Sequence, residues 1–320
     1  MLGTILFILF VIWVIFRITD TRNHSKACLV GKTAVVTGGN KGIGFQTSIG
    51  LAARGCKVII ACRTNAENEK NEIIKLTDNP NIIIKHLDLA SFKSVRALAK
   101  DLNKTEEKID ILINNAGLAK VVDNLTEDGF QYIYQVNFLG PFLLTHLLLD
   151  SLKKAKKARI LFLSSNLVWL QSLTVNTMSE KCEKVSFMYL QNAYGNTKAA
   201  LAIVARVMAE KLKSHSIKCN ALHPGYCYTE IFEATSNVVP TFVVKAFYLF
   251  SKIYAKTAEA GAQLTLKLAM SKSYENLSGA LLWDLHTLPS PGIVRDKRFG
   301  NEFWSETEKL VGLKDSEKIK

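Results

Sequence analysis

From Lys32 onward, short apolar runs rich in Val, Ile and Leu alternate with longer stretches in which apolar and charged positions are mixed. The short runs predict strands at 33–37, 57–62, 82–86, 109–113, 159–163 and 217–223. The mixed stretches predict helices at 43–54, 66–76, 92–102 and 126–152, and one more holding Tyr194 and Lys198. Strands that are apolar on both faces are covered on both faces, and their alternation with helices builds a parallel sheet. The expected class is therefore α/β, a single domain with a doubly wound parallel sheet and helices on both faces. Ligands of such sheets bind beyond the carboxyl ends of the strands, where the strand order reverses.

The amino terminus breaks the alternation. Leu2 to Phe16 is apolar except for Gly3 and Thr4, and Arg17 follows. A cleaved secretory signal carries a basic start and small residues at its cleavage site, and neither is present. The run is short for a span of about 20 residues, although Ile18 and its neighbours extend it. A retained membrane anchor over 1–18, followed by a juxtamembrane linker over 19–30, is the expectation. Arg17, Arg22, Lys26 and Lys32 follow the run, which favours a cytosolic position for the rest of the chain. Asn-x-Ser/Thr sequons begin at Asn23, Asn103, Asn124 and Asn276 and would be open to modification on the lumenal side.

Composition narrows the function classes. Hydrophobic residues make up 48% of the 320, ample for one large core, and no repeat, linker or low-complexity tract interrupts them. The net charge of +13 is spread over helix faces with no basic stripe interleaved with aromatics, so nucleic-acid binding is set aside. A phosphate-rich ligand or an anionic membrane surface accounts for the excess. The six cysteines have no Cys-x-x-Cys pair and Cys56 and Cys62 bracket one strand, so reduced thiols are expected. The histidines lack ligand spacing, and no metal is expected.

Two motifs carry chemistry. The turn Thr37-Gly38-Gly39-Asn40-Lys41-Gly42-Ile43-Gly44 joins the first strand to the first helix, and glycines there let a pyrophosphate reach backbone N–H groups at the helix start. Far downstream, Tyr194 and Lys198 stand on one helix face, where an ammonium stabilises a phenolate and draws its pKa toward working pH. The second strand ends in Ala61-Cys62-Arg63 with no acid at its tip. Arg63 and Lys41 are thus the groups available to a ribose 2′-phosphate, which points to NADP(H) as the cofactor.

With Asn114-Asn115-Ala116-Gly117 and Ser165 lying in order between them, these motifs resemble the short-chain dehydrogenase/reductase family, over Gly31 to about Gly312. Ala61-Cys62-Arg63, Leu87-Asp88-Leu89, Asn137 to Leu149 and His223-Pro224-Gly225 look like its NADP(H)-using retinol dehydrogenase branch. The resemblance implies a Rossmann-type catalytic domain over 31–320. It also implies that Ser165 binds the substrate carbonyl, Tyr194 exchanges the proton, Lys198 tunes Tyr194 and binds the nicotinamide ribose, and Asn137 holds a water linked to Lys198. For the cofactor it implies Gly38, Lys41, Gly42, Ile43 and Gly44 at the phosphates and Asp88 and Leu89 at the adenine. Asn115 and Gly117 would lie under the adenosine ribose, and Pro224, Gly225 and Thr229 against the carboxamide.

Two features depart from the family pattern. Thr197 stands where serine is usual, and the stretch from Ser165 to Tyr194 is longer than expected. Its Trp169, Leu170, Phe187, Met188 and Tyr189 either line a substrate pocket or pack a surface loop. Val238 to Tyr254, also rich in large apolar residues, is either a lid for a lipophilic substrate or an ordinary buried helix. The implied activity interconverts a lipophilic aldehyde or ketone and its alcohol, with retinoids, steroids, farnesol and fatty aldehydes all open. A non-catalytic dinucleotide-binding scaffold is the competing class, and the oligomeric state stays open, a homodimer among the alternatives.

Overall fold

A computed structural model describes residues 23, 25–119, 125–179, 186–227, 255–283, 286–287 and 289–319. Its centre is an eight-stranded sheet in the order β3-β2-β1-β4-β5-β6-β7-β8. The strands are β1 Thr33–Thr37, β2 Lys57–Cys62, β3 Ile82–His86, β4 Ile111–Asn114, β5 Arg159–Leu163, β6 Lys218–His223, β7 Leu281–Trp283 and β8 His286–Thr287. All pairings are parallel except that of β7 with β8. The order reverses between β1 and β4, which opens the crevice expected at the carboxyl ends of those two strands.

Alternation along each strand feeds two apolar layers. Val35, Ile59, Leu112, Ile160 and Phe162 face one, while Val36, Ile60, Ile113 and Leu161 face the other. The first layer is closed by α3 (Phe92–Thr105), α5 (Gly140–Leu147) and α7 (Phe187–Lys211). The second is closed by α1 (Gly42–Ala52), α2 (Glu67–Thr77) and α8 (Ala258–Met270). This is the doubly wound α/β class that the apolar pattern predicts.

The helix expected over 126–152 is the main correction. Residues 125–131 form a turn: Leu125 bridges Gln131, Gly129 takes φ +86°, and the Asp128 carboxylate accepts from Phe92 N at 2.8 Å. Helix begins only at α4 (Tyr132–Tyr134), widens into a π turn over Gln135–Leu139, and resumes as α5. Pro141 offers no N–H and its ring crowds the carbonyl four residues back, and the helix widens just ahead of it, with Gly140 N donating to Gln135 O. The chain bends again at Leu148 before α6 (Leu149–Lys153).

The carboxyl-terminal elements α9 (Gly292–Arg295) and α10 (Lys297–Leu310) pack on the first layer. Asp296 caps α10 by accepting from the N–H groups of Arg298 and Phe299. Phe303 and Trp304 then reach Phe138 and Phe142, with ring centroids 5.4 and 5.0 Å apart. His146 is sealed between Phe142 and Trp304, and burial lowers its pKa to about 4.

At the opposite end of the sheet, Asp110 ties β1 to β4. Its buried carboxylate accepts from Lys32 Nζ at 2.7 Å and Thr33 N at 3.1 Å. Asp110→Ala orphans that buried N–H, so chemical denaturation should report a loss of about 2–3 kcal/mol. An unchanged midpoint would contradict it.

Among the described residues no helix is long and apolar enough to cross a membrane. The segment 1–18, read as an anchor, lies outside them, as do Thr229 and the Val238–Tyr254 stretch. The described cysteines, Cys28, Cys56, Cys62, Cys219 and Cys227, are free thiols.

Candidate active site

The glycine turn sits at the carboxyl end of β1, where Gly38 N donates to Ala61 O at 2.8 Å. Gly38 and Gly42 adopt φ of +62° and +51°, conformations that side chains resist. Gly44 is required for space. A Cβ there would lie 2.2 Å from Gly38 O and 2.4 Å from Asn115 Nδ2, so only glycine lets α1 pack on the turn. Ile43 packs against α8, within 3.4 Å of where a Cβ on Gly261 would stand.

Lys41, at the N-cap of α1, gives the helix no side-chain cap, and its first turn holds no acidic residue. By contrast Ser91, Ser186 and Thr257 cap their own helices. An uncapped amino end with glycines around it fits a pyrophosphate, which would supply the missing acceptors.

Neighbouring segments brace this turn. Thr37 Oγ1 accepts from the N–H groups of Asn115 and Ala116, both at 3.0 Å, and Asn115 Nδ2 donates to Thr37 O at 2.9 Å. Asn115 therefore spends its side chain on the turn itself. Asp88 is likewise engaged: its carboxylate accepts from Ala90 N, and its own N–H donates to Ser94 Oγ, both at 2.9 Å. Leu89 beside it is buried. At the tip of β2 the exposed Arg63 makes no ion pair among the described residues and donates from Nη1 to the Tyr132 hydroxyl at 2.6 Å.

Beyond β4 and β5, Lys198, Tyr194 and Asn137 gather around Gly117 and Thr197, and Ser165 follows directly on β5. Lys198 Nζ donates to Leu163 O at 2.8 Å and stands 5.2 Å from the centre of the Tyr194 ring. Gly117 lies against both Lys198 and Asn137: a Cβ there would be 3.3 Å from Lys198 Nζ and 3.4 Å from Asn137 Oδ1. Asn137, fully buried in the π turn, accepts from Leu118 N and donates to Leu118 O, each at 2.8 Å, and reaches Thr197 Oγ1 at 3.3 Å. Ser165 Oγ accepts from Leu167 N at 3.2 Å and donates to Asn166 Oδ1 at 3.3 Å.

Spacing on the helix suggested that Lys198 would lower the Tyr194 pKa. In the protein alone burial outweighs that influence. It pushes the phenol above its ordinary value and draws Lys198 down to about 8.

Two supports escaped the sequence reading. Ser164 Oγ donates to Lys198 O at 2.7 Å, and Thr197 Oγ1 donates to Tyr194 O at 2.7 Å. The paired serines were a signal for the first. The second needs only a hydroxyl, which is why threonine serves where serine is usual.

Pro224 and Gly225 follow β6 at the same end of the sheet, with Gly225 at φ +89°. Trp169, Leu170 and Met188 are exposed, and Tyr189 is half-buried with its hydroxyl on Gln131 Oε1.

Comparison with known proteins matches the short chain dehydrogenase family over residues 32–172 and 171–238. The chain is 37% identical to retinol dehydrogenase 13 of Mus musculus over 292 residues, covering 90% of this chain and 86% of that one. It is 35% identical to dehydrogenase/reductase SDR family member 13 of Bos taurus, covering 90% and 75% respectively. Among solved structures, an uncharacterized protein from Mycobacterium paratuberculosis aligns with a TM-score of 0.70 at 25% identity, over 90% of this chain and 96% of that one. The RhlG/NADP active-site complex of Pseudomonas aeruginosa aligns with a TM-score of 0.59 at 24% identity, over 81% and 97%, a likeness of fold.

Proposed function

The chain belongs to the short-chain dehydrogenase family, and from that premise we propose an NADP(H)-dependent oxidoreductase that interconverts a lipophilic carbonyl compound, retinal-like, and its alcohol. The observation that carries the reading is the stacking of Gly117, Lys198 and Tyr194 at the carboxyl ends of β4 and β5, beside an uncapped glycine turn. A dinucleotide bound along that crevice supplies the hydride. The chain supplies the rest. Ser165 holds the carbonyl oxygen, Tyr194 Oη delivers the proton to it during reduction, and Lys198 adds positive charge beside the phenol. Asn137 keeps the Leu118 backbone and Thr197 in register with Lys198. Pro224, Gly225 and Thr229 are assigned to the carboxamide end. The retinol dehydrogenase relatives support a retinoid among the open substrates. A panel of long-chain aldehydes, steroids and retinal, ranked by kcat/KM with both cofactors, tests this. A small polar sugar as best substrate would overturn it.

The pH profile has a stated direction. Carbonyl reduction needs the protonated phenol and the charged Lys198, and kcat/KM reports the free enzyme. Tyr194 stays protonated well into the alkaline range, while Lys198 loses its proton near 8. Reductive kcat/KM should therefore hold up to about pH 8 and fall above it. A profile still flat two units higher would remove Lys198 from this role.

Arg63 is assigned to the 2′-phosphate, because a guanidinium forms charge-assisted hydrogen bonds with it. Arg63→Ala should weaken NADPH by about 1–3 kcal/mol and leave NADH unaltered. An unchanged NADPH/NADH ratio in binding measurements would return Arg63 to solvent.

Leu2 to Ile18 is proposed to anchor the chain in the endoplasmic reticulum membrane, with the catalytic domain cytosolic. Asn103 suits an unmodified side chain, since its amide donates to Leu147 O and accepts from Ser151 Oγ, both at 2.7 Å. Carbonate extraction and protease access in intact microsomes test the arrangement. A glycosidase-sensitive, protease-protected domain would contradict it.

A further inference from the structure

We infer that Tyr132 is a specificity-determining residue for the phosphorylated cofactor, its phenol and the Arg63 guanidinium together forming the site for the 2′-phosphate. The inference rests on the proposed role of Arg63 and extends it to a residue that no sequence motif marks.

Arg63 is exposed at the tip of β2, yet it is held by the Tyr132 hydroxyl at 2.6 Å, 69 positions along the chain. Fixing a long side chain in water costs rotamer entropy, and one hydrogen bond to a neutral phenol offsets only part of it. No carboxylate lies within ion-pair distance of the guanidinium among the described residues, so its charge is left for an anion. Tyr132 is stiff where Arg63 is not. It opens α4 directly after the turn at Gln131, and its half-buried ring packs on the first core layer.

The donor arithmetic points the same way. The phenol oxygen accepts one Arg63 N–H, which leaves the phenol proton and the remaining guanidinium donors free. Both sets can converge on one tetrahedral oxyanion. A second contact closes the other side: Asn40 Nδ2, in the glycine turn, donates to Thr64 Oγ1 at 3.3 Å, tying the turn to the loop that carries Arg63. An unphosphorylated ribose offers a neutral hydroxyl to this cluster, and it gains far less from two donors than a dianion does.

Titration calorimetry on the full-length protein tests the assignment with NADPH, NADH and adenosine 2′-monophosphate as probes. Tyr132→Phe should weaken NADPH and adenosine 2′-monophosphate by about five- to twentyfold and leave NADH within about twofold. Its thermal midpoint should match the wild type, since the ring remains. Equal losses for NADPH and NADH would assign Tyr132 a structural role and overturn the inference. Unchanged NADPH affinity in Tyr132→Phe, alongside lost selectivity in Arg63→Ala, would also overturn it while leaving the Arg63 reading intact. If Arg63→Ala itself keeps the wild-type ratio, the 2′-phosphate reading falls, and this inference with it.

Discussion

Tyr194→Phe is expected to lower kcat for carbonyl reduction by about three orders of magnitude while the dinucleotide still binds. The substitution removes one oxygen and leaves the ring, so the packing of Tyr194 on the core survives. Lys198 keeps its hydrogen bond to Leu163 O, and Thr197 keeps its own to the main-chain oxygen at 194. What disappears is the only proton donor assigned to the substrate oxygen. Stopped-flow reduction with saturating NADPH, read beside a binding isotherm and a thermal midpoint, separates the effects. Turnover within tenfold of wild type, or a midpoint that collapses with activity, would remove Tyr194 from the chemistry.

Gly44→Ala should act before chemistry begins. The new methyl would stand 2.2 Å from Gly38 O and 2.4 Å from Asn115 Nδ2, both of which belong to the turn. Neither is the loose end of a flexible chain: Asn115 is held by Thr37 O and Gly38 O. The helix start must therefore move away from the strand, at a cost of about 1–3 kcal/mol of stability. The pyrophosphate site moves with it, so dinucleotide affinity should fall about ten- to a hundredfold. Gly292→Ala is the control, because a Cβ there meets nothing within 4 Å. Affinity and stability that are unchanged in Gly44→Ala would show that the turn relaxes freely.

The strands were readable because burial on both faces leaves runs with no polar interruption, as in Val58 to Cys62 and Ile160 to Leu163. The helix expected over 126–152 failed for a local reason. Its hydrophobic periodicity reaches back to Phe130, but Gly129 turns the chain there, Thr126 N donates to Phe130 O, and the Asp128 carboxylate accepts from Phe92 N. Strands β7 and β8 are two or three residues long, too short for any periodicity to register.

For the candidate site, motif spacing singled out Gly38, Gly42, Gly44, Tyr194 and Lys198, and the family resemblance added Asn137 and Ser165. Neither could supply what the residues do to one another. Asn115 braces Thr37 and Gly38, Ser164 holds the Lys198 carbonyl, and Tyr132 meets Arg63 across 69 positions. The sign of the Tyr194 shift was also out of reach, since a helix wheel shows the neighbouring cation but not the depth of burial.

The proposed reaction passes a hydride from nicotinamide to a lipophilic carbonyl carbon. It is tested most directly by incubating the purified protein with NADPH deuterated at the transferable C4 position and all-trans-retinal or a comparable long-chain aldehyde. Mass spectrometry of the product then locates the label. The expected product is an alcohol carrying one deuterium on its carbinol carbon, formed by wild type and lost in Tyr194→Phe. Alcohol without deuterium, or no alcohol from any carbonyl tried while NADPH binds, would contradict it.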